Sequence, residues 1–202
     1  MNIKHKKIPE IRENIINNAR ELLVEAEKLY KIKSFSRCFF HSHTAKEELA
    51  KLPMLNTAYM EPAKVDMKRL NKRLTSHYSK AKSLWGIDYL ITGTSQPFSR
   101  GYKKKLDSFY KKYFGLIKAP FPHEAKDKKE IIEFLAQYYS VSKKLVSLRE
   151  KSLYVDIAKD KIYTPSELFD NDFVKSFLDI VKVRFKFFEY CEVPDYERNS
   201  IK

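Results

Sequence analysis

Along the chain, hydrophobic positions recur at helical rather than alternating spacing. Ile8, Ile11, Ile15, Ala19, Leu22, Leu23, Ala26 and Leu29 follow one another at three- and four-residue steps, which predicts an amphipathic helix over 8–32. A second helix is expected over 34–52, with Phe35, Cys38, Ser42, Ala45, Leu49 and Leu52 on one face. Pro53 and Pro62 bracket its end and the start of a third, about 62–85. Residues 86–101 hold three of the four glycines and Pro97, so they read mainly as loop. A basic helix is expected over 102–114, and Ala119-Pro120-Phe121-Pro122 is a further break.

A long helix follows at about 124–156, its buried side marked by Ile131, Ile132, Leu135, Tyr138, Tyr139, Leu145 and Leu148. Thr164, Pro165 and Glu167 form a helix start with a capping box. From there the last helix is expected to run to about 190, and the tail from Val193 to fray. The pattern predicts one all-α domain over residues 1–202, a helical bundle with additional C-terminal helices.

Composition narrows the chemistry. Four glycines in 202 residues leave no Gly-rich phosphate loop, and neither the P-loop nor the dinucleotide-binding pattern occurs. Cys38 and Cys191 stand alone among aromatic neighbours and read as buried apolar thiols. No His, Cys or carboxylate spacing points to a metal, and no cofactor is expected. The charged N-terminus lacks the apolar stretch of a signal peptide. The longest uncharged runs fall short of a membrane span. A cytoplasmic location with no membrane partner is the expectation.

The formal charge of +14 is concentrated. Segment 62–85 has Lys64, Lys68, Arg69, Lys72, Arg73, Lys80 and Lys82 against Asp66, a net +6. Segment 98–118 has Arg100, Lys103, Lys104, Lys105, Lys111, Lys112 and Lys118 against Asp107, again +6. Such concentration points to a polyanion-facing surface, and an ordinary solvated basic face is the competing explanation. The aromatics interleaved with the second set, Phe98, Tyr102, Phe109, Tyr110, Tyr113 and Phe114, fit a helix core better than a stacking platform.

On a helical wheel, Arg69, Arg73, His77 and Lys80 form one stripe beside Leu70, Leu74, Ala81 and Trp85. Cations beside an imidazole could grip a phosphate while a proton moves. In the second helix Arg37, His41 and Glu48 share the edge of the apolar arc, and His43 pairs with Glu47 at i, i+4 on another side. Arg37 and His43 fit the loose pattern R-x(4–6)-H. Structural alternatives stand beside these: Glu48 as a buried partner for an arginine, and His43 as a surface histidine held by Glu47.

Three blocks resemble the AbiV family of bacterial abortive-infection proteins, a branch of the all-helical HEPN superfamily. The first is Asn18–Leu23 with Phe35–Phe40 and Glu47-Glu48-Leu49-Ala50-Lys51, where Ala50 stands in place of the family's usual Gly. The second is Lys72–Lys80, with Arg73 and His77. The third is Leu148–Asp156 followed by Pro165. The likeness spans roughly residues 15–170.

The resemblance implies phage defence by shutting down the infected cell, through a metal-independent ribonuclease working as a homodimer. His77 would be the acid/base, with Arg73, Arg69 and Lys80 on the phosphate and Glu48 orienting or neutralising them. The gap from Arg73 to His77 is shorter than the superfamily pattern, so the catalytic arginine is Arg73, Arg69, or Arg37 with His43. Lys68, Lys72, Lys103, Lys104, Lys105, Lys111 and Lys112 would hold the RNA, and a phage-encoded protein would trigger the silent enzyme. The competing expectation is a non-enzymatic helical module that binds RNA, ribosomes or a phage protein and blocks translation by occupancy.

Overall fold

The computed structural model describes residues 7–61, 66–93, 101–115, 126–154, 156–158 and 161–191. Helices α1 (Ile8–Lys31) and α2 (Phe35–Leu49) form a hairpin, followed by α3 (Leu52–Met60), α4 (Met67–Thr75) and α5 (His77–Gly93). Then come α6 (Tyr102–Phe114), α7 (Lys128–Lys151) and α8 (Asn171–Tyr190). Between α7 and α8 lie the three-residue strands β1 (Asp156–Ala158) and β2 (Lys161–Tyr163), paired antiparallel with Ile157 opposite Ile162. The all-α class holds, with this short hairpin as an addition. Pro62, Lys64, Pro97, Phe98, Arg100, Lys118, the 119–122 break and the tail lie outside the described residues.

α1 stops in a Schellman turn. Ser34 N–H donates to Leu29 O at 2.9 Å and Lys33 N–H to Tyr30 O at 3.0 Å, with Lys33 in the left-handed region at φ 59°. α6 is bracketed by glycines that the same region favours, Gly101 at φ 76° and Gly115 at φ 65°.

Several boundaries differ from the expectation: α3 stands where no separate helix was expected, and α7 ends at Lys151 rather than near 156. The helix drawn over 62–85 is two helices. Ser76 is extended at ψ 120°, and its Oγ accepts from Ser79 N–H at 3.3 Å, so a serine cap restarts the chain at His77. α5 then runs through Gly86 to Gly93, where a loop was expected, because Leu84, Ile87 and Ile91 are buried and offset the cost of the glycine. The Thr164 capping box is present, yet it opens only a 3-10 turn, Pro165–Glu167; Asp170 caps α8, accepting from Phe173 N–H at 2.7 Å.

α2 is central, packed on α1, α8, α7 and α5. It is buried on two arcs, with Cys38, Ala45 and Leu49 on one and Phe39, His43 and Lys46 on the other. Phe39 stacks on Phe169 and meets Phe173 and Phe177 of α8. Cys38 is buried and Cys191 half-buried, both free thiols; burial pushes Cys38 up to about 11. On α6, Tyr102, Leu106, Phe109 and Tyr110 face the core while Lys104, Lys105, Lys111 and Lys112 face out.

A fully buried ion pair joins the second half of the chain. Arg184 of α8 donates through Nε to Asp88 Oδ1 at 2.8 Å and through Nη2 to Oδ2 at 2.7 Å, and both residues are 1% exposed. The remaining lone pairs of Asp88 accept Tyr102 OH of α6 at 2.6 Å and Tyr138 OH of α7 at 2.8 Å. Every polar atom of this carboxylate is therefore engaged, the condition under which a buried pair is tolerated.

Two stability outcomes follow. Asp88→Ala strands a buried guanidinium and should cost about 3–5 kcal/mol in urea unfolding, while Tyr102→Phe should cost about 1 kcal/mol. Lys33→Gly removes the penalty of a side chain in the left-handed region and should stabilise the protein by about 1 kcal/mol.

Candidate functional site

The site is built around Glu47, in the last turns of α2. Its carboxylate is largely buried and takes ligands from two other helices. His77 Nδ1, at the first residue of α5, lies 2.8 Å from Oε1. Lys80 Nζ, one turn further, donates to Oε2 at 3.3 Å, and Arg149 Nη1 of α7 donates to the same oxygen at 3.1 Å. Burial alone would raise the Glu47 pKa. Lys80, His77 and Arg149 outweigh it and hold the group below its ordinary value.

An ionised carboxylate only accepts hydrogen bonds, so the proton of a neutral His77 sits on Nδ1 and the lone pair on Nε2. The imidazole is 49% exposed, against 11% for the Glu47 side chain. The arrangement is thus a buried anion that orients a half-exposed base, with two cations at its flank. Lys80 and Arg149 are balanced by Glu47 and by the exposed Glu150, whose Oε1 lies 3.8 Å from Arg149 Nη2, so the cluster beside the imidazole is close to neutral.

Behind the carboxylate the interior stays polar. Lys46 is buried, its Nζ 6.0 Å from the Phe177 ring centroid. Burial first, then Arg184, brings its amine down to about 7, with Glu47 and Asp88 opposing. His43 is fully buried, stacked on Phe177 at 6.0 Å, and neither ring nitrogen finds a partner among the described residues. Burial and the neighbouring Lys46, Arg149, His77 and Lys80 keep it neutral.

His77 and Lys80 therefore meet as expected, on Glu47 and not on Glu48. Glu48 turns away and pairs with Lys51 at 2.5 Å. His43 is an interior residue, not a surface histidine held by Glu47. Arg37 is exposed on α2, and Arg69 and Arg73 are exposed on α4 with Lys68 and Lys72. The extended Ser76 means that these arginines do not continue the His77 stripe around one helix. Lys103, Lys104, Lys105, Lys111 and Lys112 lie on α6. Lys104, Lys105 and Lys112, with Lys175 of α8, line a cleft of about 530 Å³ between the two helices.

Glu47, Arg149, Lys46, Asp88 and Arg184 were missed as site or core residues, although all lie on buried arcs. Phe39, His43, Lys46 and Ala50 recur at helical spacing, as do Leu84, Asp88 and Ile91, and Phe177, Val181, Arg184 and Phe188. A charged residue inside an apolar arc was the available signal. Among the described residues no three His, Cys, Asp or Glu side chains converge as metal ligands, and no helix is long and apolar enough to cross a membrane.

No curated protein and no solved structure matches the chain. The family model of AbiV, a HEPN family, matches residues 7–186. That span runs from the start of α1 into the last turns of α8 and includes the whole Glu47 cluster. The chain belongs to the AbiV family of HEPN proteins, the abortive-infection class that its three sequence blocks resemble.

Proposed function

We propose that this protein is an abortive-infection effector that cleaves RNA without a metal, as a homodimer, after a phage component engages it. The observation that carries this reading is the Glu47–His77 pair: a buried carboxylate fixing an exposed imidazole, with Lys80 and Arg149 on the same carboxylate. His77 Nε2 accepts the proton of a ribose 2′-OH, and the freed oxygen attacks the adjacent phosphorus. Lys80, Arg149 and the exposed arginines of α4 stabilise the added negative charge of the phosphorane. The 5′-oxygen leaves with a proton from a second imidazolium, which the His77 of a second copy supplies. Glu47 touches no substrate atom. It is a positioning residue that sets the tautomer and stabilises the protonated ring.

The basic helix α6 and its cleft against α8 supply the sequence-independent grip on RNA, with an affinity that falls as salt rises. Shutting down translation is the cellular consequence of cutting RNA on which it depends. An unrestrained activity would kill the host, so the dyad must be denied substrate until infection.

Total RNA from phage-infected cells carrying the intact protein should show discrete new ends. His77→Ala at matched protein level should reduce them by about 10²–10⁴-fold. Intact RNA in both strains, with protection retained by the variant, would instead favour a module that blocks translation by occupancy. Glu47→Gln keeps the size of the side chain but can turn either an oxygen or an N–H₂ toward Nδ1, so the tautomer is no longer fixed. The cleavage kcat should fall about tenfold with the KM for RNA unchanged, a split that a merely structural role for Glu47 would not produce.

A further inference from the structure

The cleavage chemistry leaves unused a trough that begins at His77 itself. α5 and α7 diverge there, and His77, Tyr78, Tyr139, Ser142, Lys143 and Val146 line a cleft of about 240 Å³. Tyr78 and Tyr139 also wall the next cleft, of about 280 Å³, which continues along the two helices to Trp85, Ile132 and Leu135. The two spaces share this edge-to-face tyrosine pair, 4.8 Å between ring centroids, so they form one groove with the imidazole at its end.

Its walls are unusual for a surface. Tyr78 is 56% and Ile132 55% exposed, side chains that apolar burial would reward. Trp85 Nε1 is buried with no hydrogen-bond partner among the described residues, which leaves a donor in want of an acceptor. The rim is basic: Lys82 is exposed, and Lys143 stands 4.7 Å over the Tyr139 ring. Flat aromatic faces, one orphan N–H and flanking ammonium groups match an unstacked nucleobase with its phosphates, each base having a face to stack and ring acceptors to offer. A polyanion complements these lysines.

Resting on the ribonuclease reading above, we propose that this trough receives the bases of single-stranded RNA next to the phosphate held at His77. The substrate is then an unpaired segment, because a base within a duplex has no free face to lay on Tyr78. Tyr78, Tyr139 and Trp85 set which strands reach the imidazole.

Trp85 is the sole tryptophan of the chain, so its emission reports on the trough alone. The full-length protein is titrated with a short 2′-O-methyl RNA, which cannot be cleaved, and with an abasic strand of equal length and charge. Anisotropy of an end label follows binding in parallel. The base-bearing strand should quench Trp85 saturably and the abasic strand should not. Tyr78→Ala, at an exposed position, should weaken binding of the base-bearing strand about tenfold with unchanged helical circular dichroism. Equal quenching by the abasic strand, or binding by anisotropy with unaltered emission, would overturn the proposal. So would a Tyr78→Ala variant whose self-association falls in sedimentation while its RNA affinity stands, since the trough would then be a protein-docking face. The two readings fail separately. Saturable quenching without new RNA ends in infected cells sinks cleavage and keeps the trough, whereas His77-dependent cleavage without quenching does the reverse.

Discussion

The Asp88–Arg184 pair is the constraint around which the second half of the chain is arranged. A carboxylate and a guanidinium at 1% exposure survive only if every strong hydrogen-bonding direction is filled. Filling them requires Tyr102 from α6 and Tyr138 from α7 as well as the two charged residues from α5 and α8. Four helices are thereby fixed in register by one polar knot, where apolar packing alone would tolerate sliding. α5 carries both this knot and, starting three turns earlier, His77 and Lys80. The pose of the His77 imidazole depends on a network that never meets solvent.

Charged groups recur between that knot and the surface. Arg184 weakens the protonation of Lys46, Lys46 neighbours Glu47, and Glu47 holds His77. α2 is covered on nearly all sides and still carries His43, Lys46 and Glu47. Burying those groups costs free energy that a purely apolar helix would save. Retaining them is reasonable where an oriented, charge-supported imidazole is needed at the rim.

Much of this was legible in the chain. Helical spacing located α1 and α6 to within a residue, since their apolar stripes are simple and α6 is bracketed by two of the chain's four glycines. The proline-marked third block led to the segment that holds Arg149, though not to its role. The failure at the carboxylate comes from assuming a single buried face per helix. On α2 that assumption put Glu48 at the edge of the core, where it lies paired with Lys51, but left Glu47 outside it, whereas a helix packed on several sides buries Glu47 as well. The break at Ser76 was invisible to a wheel, which presumes a continuous helix, and a serine cap four residues before Lys80 was the overlooked cue. Gly86 suggested a loop because local propensity was weighed before the burial of Leu84, Ile87 and Ile91.

That single extended serine divides control of the site's charges. In an unbroken helix each residue advances about 100°, so moving the arginines of α4 would turn His77 with them. With Ser76 at ψ 120° the two groups lie on separate rigid bodies. The imidazole is anchored through α5 to the deep knot, whereas Leu70 is the one buried side chain of α4. Arg69 and Arg73 therefore ride on a lightly moored lever beside a fixed fulcrum, and their distance from His77 is adjustable without disturbing the imidazole.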